Sequence, residues 1–157
     1  MKTLEETLNK YVKGIIIKPG YVVEIGHSDI VGGVRKYFET SEDYCMVDDK
    51  RVIQVDIISE YSYLGKLFDY QPNVIISMSL FNSYKKIKSL IKDTRELLMP
   101  GGYFIVLLDI KNKDTLKYLF EGYKTKDVSF LNVGEKSMIC GIARKPYRID
   151  YDPKDNP

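Results

Sequence analysis

Apolar positions along the chain switch between a helical and an extended period, and each switch marks an element. Leu4, Leu8, Val12 and Ile15 recur at helical spacing behind Thr3-Leu4-Glu5-Glu6, a stretch with capping-box spacing, so the chain opens on a helix. Lys18-Pro19-Gly20 turns it into Tyr21-Val22-Val23-Glu24-Ile25, which runs into Gly26-His27-Ser28-Asp29. That pattern predicts a buried strand breaking into a tight turn, where open α/β sheets place their ligands. Ile30, Val31, Val34, Tyr37 and Phe38 then fall on one helical face, with Ser28 or Asp29 available as N-cap. The free N–H groups of such a helix start suit a carboxylate, a phosphate or a ribose hydroxyl.

Residues 44–47 predict a second strand closing on Asp48 and Asp49, and residues 52–58 a third. A weak helical segment around Leu64, Leu67 and Phe68, interrupted by Gly65, precedes Pro72 and the apolar strand at 73–77. Ser83 caps a long predicted helix that turns Ile87, Leu90, Ile91, Thr94, Leu97 and Leu98 inward and stops at Pro100-Gly101-Gly102, ahead of a buried strand at 103–108. Leu116, Leu119 and Phe120 predict a helix over 114–123. Strands at 127–133 and 137–143 follow, separated only by Gly134-Glu135-Lys136, so they pair as an antiparallel hairpin, because a parallel crossover needs about a dozen residues.

The earlier strands read as continuous apolar runs with helices between most of them, the mark of a parallel sheet covered on both faces. The expected architecture is α/β: a doubly wound, mostly parallel sheet with helices on both faces and a C-terminal antiparallel hairpin. Residues 1–146 are expected to form a single domain and residues 147–157 a flexible tail, since the end from Pro146 carries three prolines and alternating charges. One spacing conflicts with a regular crossover. Asp56 follows Asp48 by eight residues, which leaves no room for a helix between the second and third strands. Either that crossover has shrunk to an irregular loop, or 52–57 is the second strand and the third is lost.

Composition changes this picture little. The 157 residues carry 24 Lys and Arg against 22 Asp and Glu, a net charge of +2, and that balance does not indicate a nucleic-acid partner. Cys45 and Cys140 sit in apolar runs without CxxC spacing, which argues for two small core residues in a reduced chain and against a zinc site or disulfide; no metal is expected. No run approaches the ~18 apolar residues of a membrane span, and residues 1–20 resemble no secretory signal, so a soluble, cytoplasmic protein without membrane partners is expected.

The acid and glycine of Glu24-Ile25-Gly26, the acid at Asp48, the Asp56 strand and above all Leu97-Leu98-Met99-Pro100-Gly101-Gly102-Tyr103-Phe104-Ile105-Val106 resemble the class I methyltransferases that use S-adenosylmethionine. In that Rossmann-like family a helix, a leu-leu-x-pro-gly-gly turn and an apolar strand recur together. The likeness extends over roughly residues 3–145. It implies S-adenosylmethionine as cofactor and an unidentified methyl acceptor as partner. It also implies cofactor contacts at Glu24, Gly26, His27, Ser28, Asp48, Asp56 and Ser77. Asp48, 22 residues after Gly26, stands near the ~20 residues at which an acid binds ribose hydroxyls, with Asp49 as its competitor. Asp56 resembles the acid that contacts the adenine amino group, and can equally cap the segment after it. Ser77, Met78 and Ser79 end the strand where donor and acceptor would meet. His27, the one histidine, is either a general base or an ordinary turn residue.

The glycine loop is degenerate. Only Gly26 remains of acid-x-Gly-x-Gly-x-Gly, with Ser28 and Ile30 at the later glycine positions. After the fourth strand Ser77-Met78-Ser79-Leu80-Phe81 replaces the Asn/Asp-Pro-Pro-aromatic motif of amino methylation, and neither cysteine sits on a loop with a base. What remains is methyl transfer by proximity and alignment. The competing reading is a methyltransferase-like fold without catalysis, serving as a binding or assembly module.

Overall fold

The computed structural model describes residues 2–29, 31–52, 54–82 and 85–147. Strands β1 (Tyr21–Ile25), β2 (Asp43–Asp48), β3 (Ile57–Ile58), β4 (Val74–Met78), β5 (Tyr103–Asp109), β6 (Lys124–Val133) and β7 (Lys136–Arg144) form one sheet in the order β3-β2-β1-β4-β5-β7-β6. β1, β2, β3, β4 and β5 run parallel, and β7 is antiparallel to both β5 and β6. The chain steps outward from β1 to β3 and then returns to β4 on the other side of β1, so its direction switches between β1 and β4.

β5 shows why both faces need cover. Phe104, Val106 and Leu108 point into one apolar layer, with Leu90 and Leu97 of α2 (Ile87–Leu97) and Leu116 and Leu119 of α3 (Thr115–Leu119). Ile105 and Leu107 point into the other, with Leu8 of α1 (Leu4–Lys10), Tyr11, Val34 and Phe38. Period-2 alternation between two apolar layers is what turns a strand into an unbroken apolar run. Thr3 Oγ1 accepts the Glu6 N–H at 3.1 Å, as the opening pattern predicts, and the helix widens into a π-type coil over Tyr11–Ile16 that ends at Ile17, with φ +67°.

The structure corrects three expectations. The helix expected after β1 does not form: Gly32 N–H closes a turn onto Ser28 O at 2.8 Å, Gly32 has φ +74°, and only a single 3-10 turn, Arg35–Phe38, follows. Two adjacent glycines, each about 1 kcal/mol worse than alanine in a helix, outweigh the apolar spacing, although Val34 and Phe38 still bury as that spacing requires. The third strand contracts to Ile57–Ile58, since Gln54 has φ +71° and the chain crosses from β2 by an irregular loop, the first of the two alternatives above. The helix expected over 114–123 is shorter, Thr115–Leu119, with Gly122 at φ +80° soon after it.

The hairpin is longer than expected, with Val133 opposite Lys136 across a two-residue turn whose Gly134 has φ +61°. Ser83 lies outside the described residues; α2 begins at Ile87 with Lys86 at its N-cap. The expected tail lies outside them from residue 148, while exposed Tyr147 is described and sits 4.5 Å from the Arg144 guanidinium. Cys45 and Cys140 are both free and buried.

Candidate functional site

Beyond the C-terminal ends of β1, β2 and β4, at the switch in chain direction, lies a cavity of about 780 Å³. Of the seven cofactor contacts that the resemblance implies, Gly26, His27 and Asp48 line it, and so do Asp29, Asp49 and Ser79, which the sequence also singled out. Gly26 leaves β1 with φ +80°, its N–H bonded to Val47 O at 2.8 Å. A Cβ there would lie 3.0 Å from Leu80 Cβ, so the loop after β4 packs directly on this glycine. Asp48 ends β2, and its carboxylate accepts the His27 N–H at 2.6 Å and the Lys50 N–H at 2.8 Å. One acid thus fixes the loops leaving β1 and β2, with lone pairs left for a ligand. His27 Nδ1 is buried without a partner among the described residues, and Nε2 stands 3.7 Å from Asp29.

The other four predicted residues are not brought to the cavity wall. Glu24 is 1% exposed and belongs to the face of β1 that meets Tyr44, whose hydroxyl donates to it at 2.5 Å. Burial pushes its carboxyl up to about 7, against the opposing pull of the Tyr44 hydrogen bond and the Arg35 charge. Ser28 is buried and bonds sideways: its hydroxyl accepts the Val31 N–H at 3.2 Å and meets Ser79 Oγ at 3.1 Å. Asp56 turns to the Arg35 guanidinium at 2.5 Å and the Met46 N–H at 2.8 Å. It thereby ties the irregular crossover to β2. Ser77 lies within β4, fully buried, with its hydroxyl unpartnered among the described residues.

The sequence reading passed over half of the wall. Glu60 adds a carboxylate and Lys50 an ammonium beside Asp29, Asp48 and Asp49, while Leu80, Lys85 and Lys86 join Ser79 on the side toward β4 and α2. Partial desolvation, together with a hydrogen bond and charge from Asp48, raises the Asp49 carboxyl. Ser79 holds φ +83°, a left-handed conformation that a residue with a side chain adopts at a cost, and its N–H is held by Leu107 O at 3.0 Å. The one signal in the sequence for this side was its place at the end of a strand. The cavity is therefore split: four carboxylates accompany Lys50 on the β1–β2 side, and Lys85 and Lys86 stand without a carboxylate on the α2 side. Among the described residues no cluster of three or more His, Cys, Asp or Glu could hold a metal, and no helix is long and apolar enough to cross a membrane.

No family model matches the sequence, and no curated protein matches it by sequence. Solved structures do match the fold. The N-methyltransferase NodS of Bradyrhizobium japonicum, in complex with S-adenosylhomocysteine, superposes with a TM-score of 0.67 at 11% identity, over 90% of this chain and 85% of that one. A 1,6-didemethyltoxoflavin N1-methyltransferase of Burkholderia thailandensis, with bound 1,6-didemethyltoxoflavin and S-adenosylhomocysteine, gives 0.69 at 12% identity, over 90% of this chain and 78% of that one. An rRNA methylase of Streptococcus thermophilus gives 0.64 at 11% identity, over 93% and 98% of the two chains. The chain has the class I methyltransferase fold, with the C-terminal antiparallel strands in place.

Proposed function

We propose that the chain is an S-adenosylmethionine-dependent methyltransferase that holds its cofactor against the β1–β2 side of the cavity. The observation that carries this reading is the position of the cavity: beyond the strand ends, at the switch between β1 and β4, bounded by a positive-φ glycine and the carboxylate that ends β2. The residues present fit the group. About 780 Å³ lies in the range of small-ligand sites, and Asp29, Asp48, Asp49 and Glu60 offer acceptors to ribose hydroxyls and negative charge to a cation. When bound, the cofactor supplies an electrophilic methyl group on a positively charged sulfur.

The chain's own part is placement. Asp48 sets both loops by binding their N–H groups, and Ser79 and Leu80 close the side toward β4. The methyl acceptor enters from the α2 side, and the neighbouring low-dielectric layer of β4 and β5 keeps water from the reacting centre. His27 and the wall carboxylates are the groups on hand to take a proton from the acceptor. The complexes with S-adenosylhomocysteine among the structural neighbours support the choice of cofactor.

The contact of Leu80 with Gly26 favours a second reading, a fold that has closed its cofactor cleft and acts as a binding module. Calorimetric titration separates them. S-adenosylhomocysteine should bind more tightly than NAD, and absence of binding for both supports the non-catalytic module.

A further inference from the structure

From Tyr70 to Lys92 the chain has no carboxylate, and all four of its charged residues are lysines: Lys85, Lys86, Lys88 and Lys92. The structure gathers them at one end of α2 and along its outer side. Lys85 and Lys86 line the cavity, while Lys88 and Lys92, one turn apart and exposed, continue the row away from its mouth. Lys85, Lys86 and Lys88 have no ion-pair partner among the described residues, and Lys92 meets only Glu96, at 3.9 Å.

This placement opposes local preference. The first turn of α2 holds no acidic residue, and cations at the positive end of a helix dipole are unfavourable, so the lysines do not serve the helix they stand on. Across the cavity Asp29, Asp48, Asp49 and Glu60 outnumber Lys50 and leave the opposite wall net negative. A cationic cofactor belongs to that wall, and an anion to the lysine wall. A small anion would use only Lys85 and Lys86; continuation to Lys88 and Lys92 fits a ligand with repeated negative charges.

We propose that the lysine row of α2 binds the phosphates of a single-stranded nucleic acid and leads it to the mouth of the cavity as methyl acceptor. Its part as acceptor rests on the methyltransferase reading above. Single-stranded form follows from the site: the reacting group must reach into a cavity, which a stacked and paired base does not do. An anionic lipid surface is the weaker fit, because the exposed positions of α2 are Lys88, Ser89, Lys92 and Glu96, with no apolar side chain to insert. The overall charge of +2 conceals this, since the acids of the β1–β2 side balance the lysines in sum but not in space.

The test compares wild type with Lys88→Glu/Lys92→Glu, a pair outside the cavity wall, by anisotropy with a fluorescent oligouridylate over a salt series. S-adenosylhomocysteine titration runs alongside. Neutralisation of four phosphates weakens wild-type binding about 50-fold between 50 and 200 mM salt, and loss of two contacts lowers the salt slope by about 1.4. The variant should bind the oligonucleotide at least ~10-fold more weakly at low salt, at unchanged S-adenosylhomocysteine affinity. No salt-dependent oligonucleotide binding, or equal binding by the variant, overturns the proposal. So does lysine-dependent binding to phosphatidylserine vesicles without binding to oligouridylate. If the oligonucleotide binds through these lysines and S-adenosylhomocysteine does not bind, the nucleic-acid surface stands and the methyltransferase reading falls.

Discussion

The two halves of the sheet are built on different principles. From β5 to β6 the strands are long: Tyr103–Asp109 pairs with β7 along its whole length and fills both apolar layers, and β6 pairs with β7 with one irregularity, between Thr125 and Asp127. From β1 to β3 the pairing dwindles to Ile57 and Ile58, and the connections are loops and 3-10 turns. There carboxylates replace helices as ties. Asp48 holds the loops after β1 and β2, Asp56 joins β2 to Arg35, and Glu24 meets Tyr44 beneath them. One half is held by buried area and regular pairing, and the other adds hydrogen bonds to charge to the buried area of β1 and β2. Most of the cavity wall belongs to the second half, because irregular backbone leaves polar groups turned toward a space that a helix would have filled.

The sharpest test of this contrast removes bulk from the regular half. Phe104 is 1% exposed and packs edge-on against Phe81 and Phe120, each at 6.0 Å between centroids. Phe104→Ala should lower the unfolding free energy by about 3–5 kcal/mol in denaturant titration. At a temperature where it is folded, its S-adenosylhomocysteine affinity should equal that of wild type. A stable Phe104→Ala protein that lost ligand binding would show that the two halves are not separable.

Asp48→Ala makes the converse change. Two backbone N–H groups lose a charged acceptor, at about 1.5–3 kcal/mol each, and water entering the open cavity recovers part of this, so about 3 kcal/mol is expected. Ligand binding should disappear while the variant remains folded. Asp56→Ala is the control. Its side chain is 42% exposed and off the cavity wall, so about 1 kcal/mol and retained binding are expected from calorimetry.

Glu24 puts a pH dependence into the irregular half alone. Its carboxyl titrates at about 7 when folded, against 4.5 for an ordinary glutamate, so the folded protein keeps a proton that the unfolded chain releases. This contribution is complete below about pH 4.5 and is lost as pH rises through about 7, for about 3 kcal/mol at most. Glu24→Gln should therefore gain stability relative to wild type between about pH 5 and pH 8 in urea unfolding. A constant difference across that range would place the charge elsewhere.

The same division explains what the sequence made legible. The hairpin, β4, β5 and the Pro-Gly-Gly turn were readable because unbroken apolar runs and connection lengths determine them. The helix after β1 was misread because Val34 and Phe38 keep helical spacing through Gly32 and Gly33, and periodicity does not register the backbone cost of two glycines. Gly26, His27 and Asp48 reached the cavity because strand ends are fixed by the sheet. Asp56 did not, since Arg35 captures it, and that contact depends on a loop whose course no local pattern specifies. Lys85 and Lys86 were passed over because charge was summed over the chain.

The smallest effect is the most local. Gly26→Ala meets two obstacles: φ is +80°, which costs an L-residue about 1–2 kcal/mol, and the new methyl lies 3.0 Å from Leu80 Cβ. Leu80→Ala removes the Leu80 Cδ atoms, both 3.2 Å from that methyl, but keeps Cβ, so it relieves part of the second obstacle and none of the first. The double variant should be more stable than the sum of the single changes predicts, by about 0.5–1 kcal/mol in thermal or denaturant unfolding. Ligand affinity divides the same cycle differently. If Leu80 intrudes on the cofactor cleft, Leu80→Ala alone should strengthen S-adenosylhomocysteine binding, whereas a wall that merely supports the ligand would weaken it on truncation. Additive stabilities would mean that the loop after β4 stands off Gly26 in solution, and the contact between the halves at this point would be lost with it.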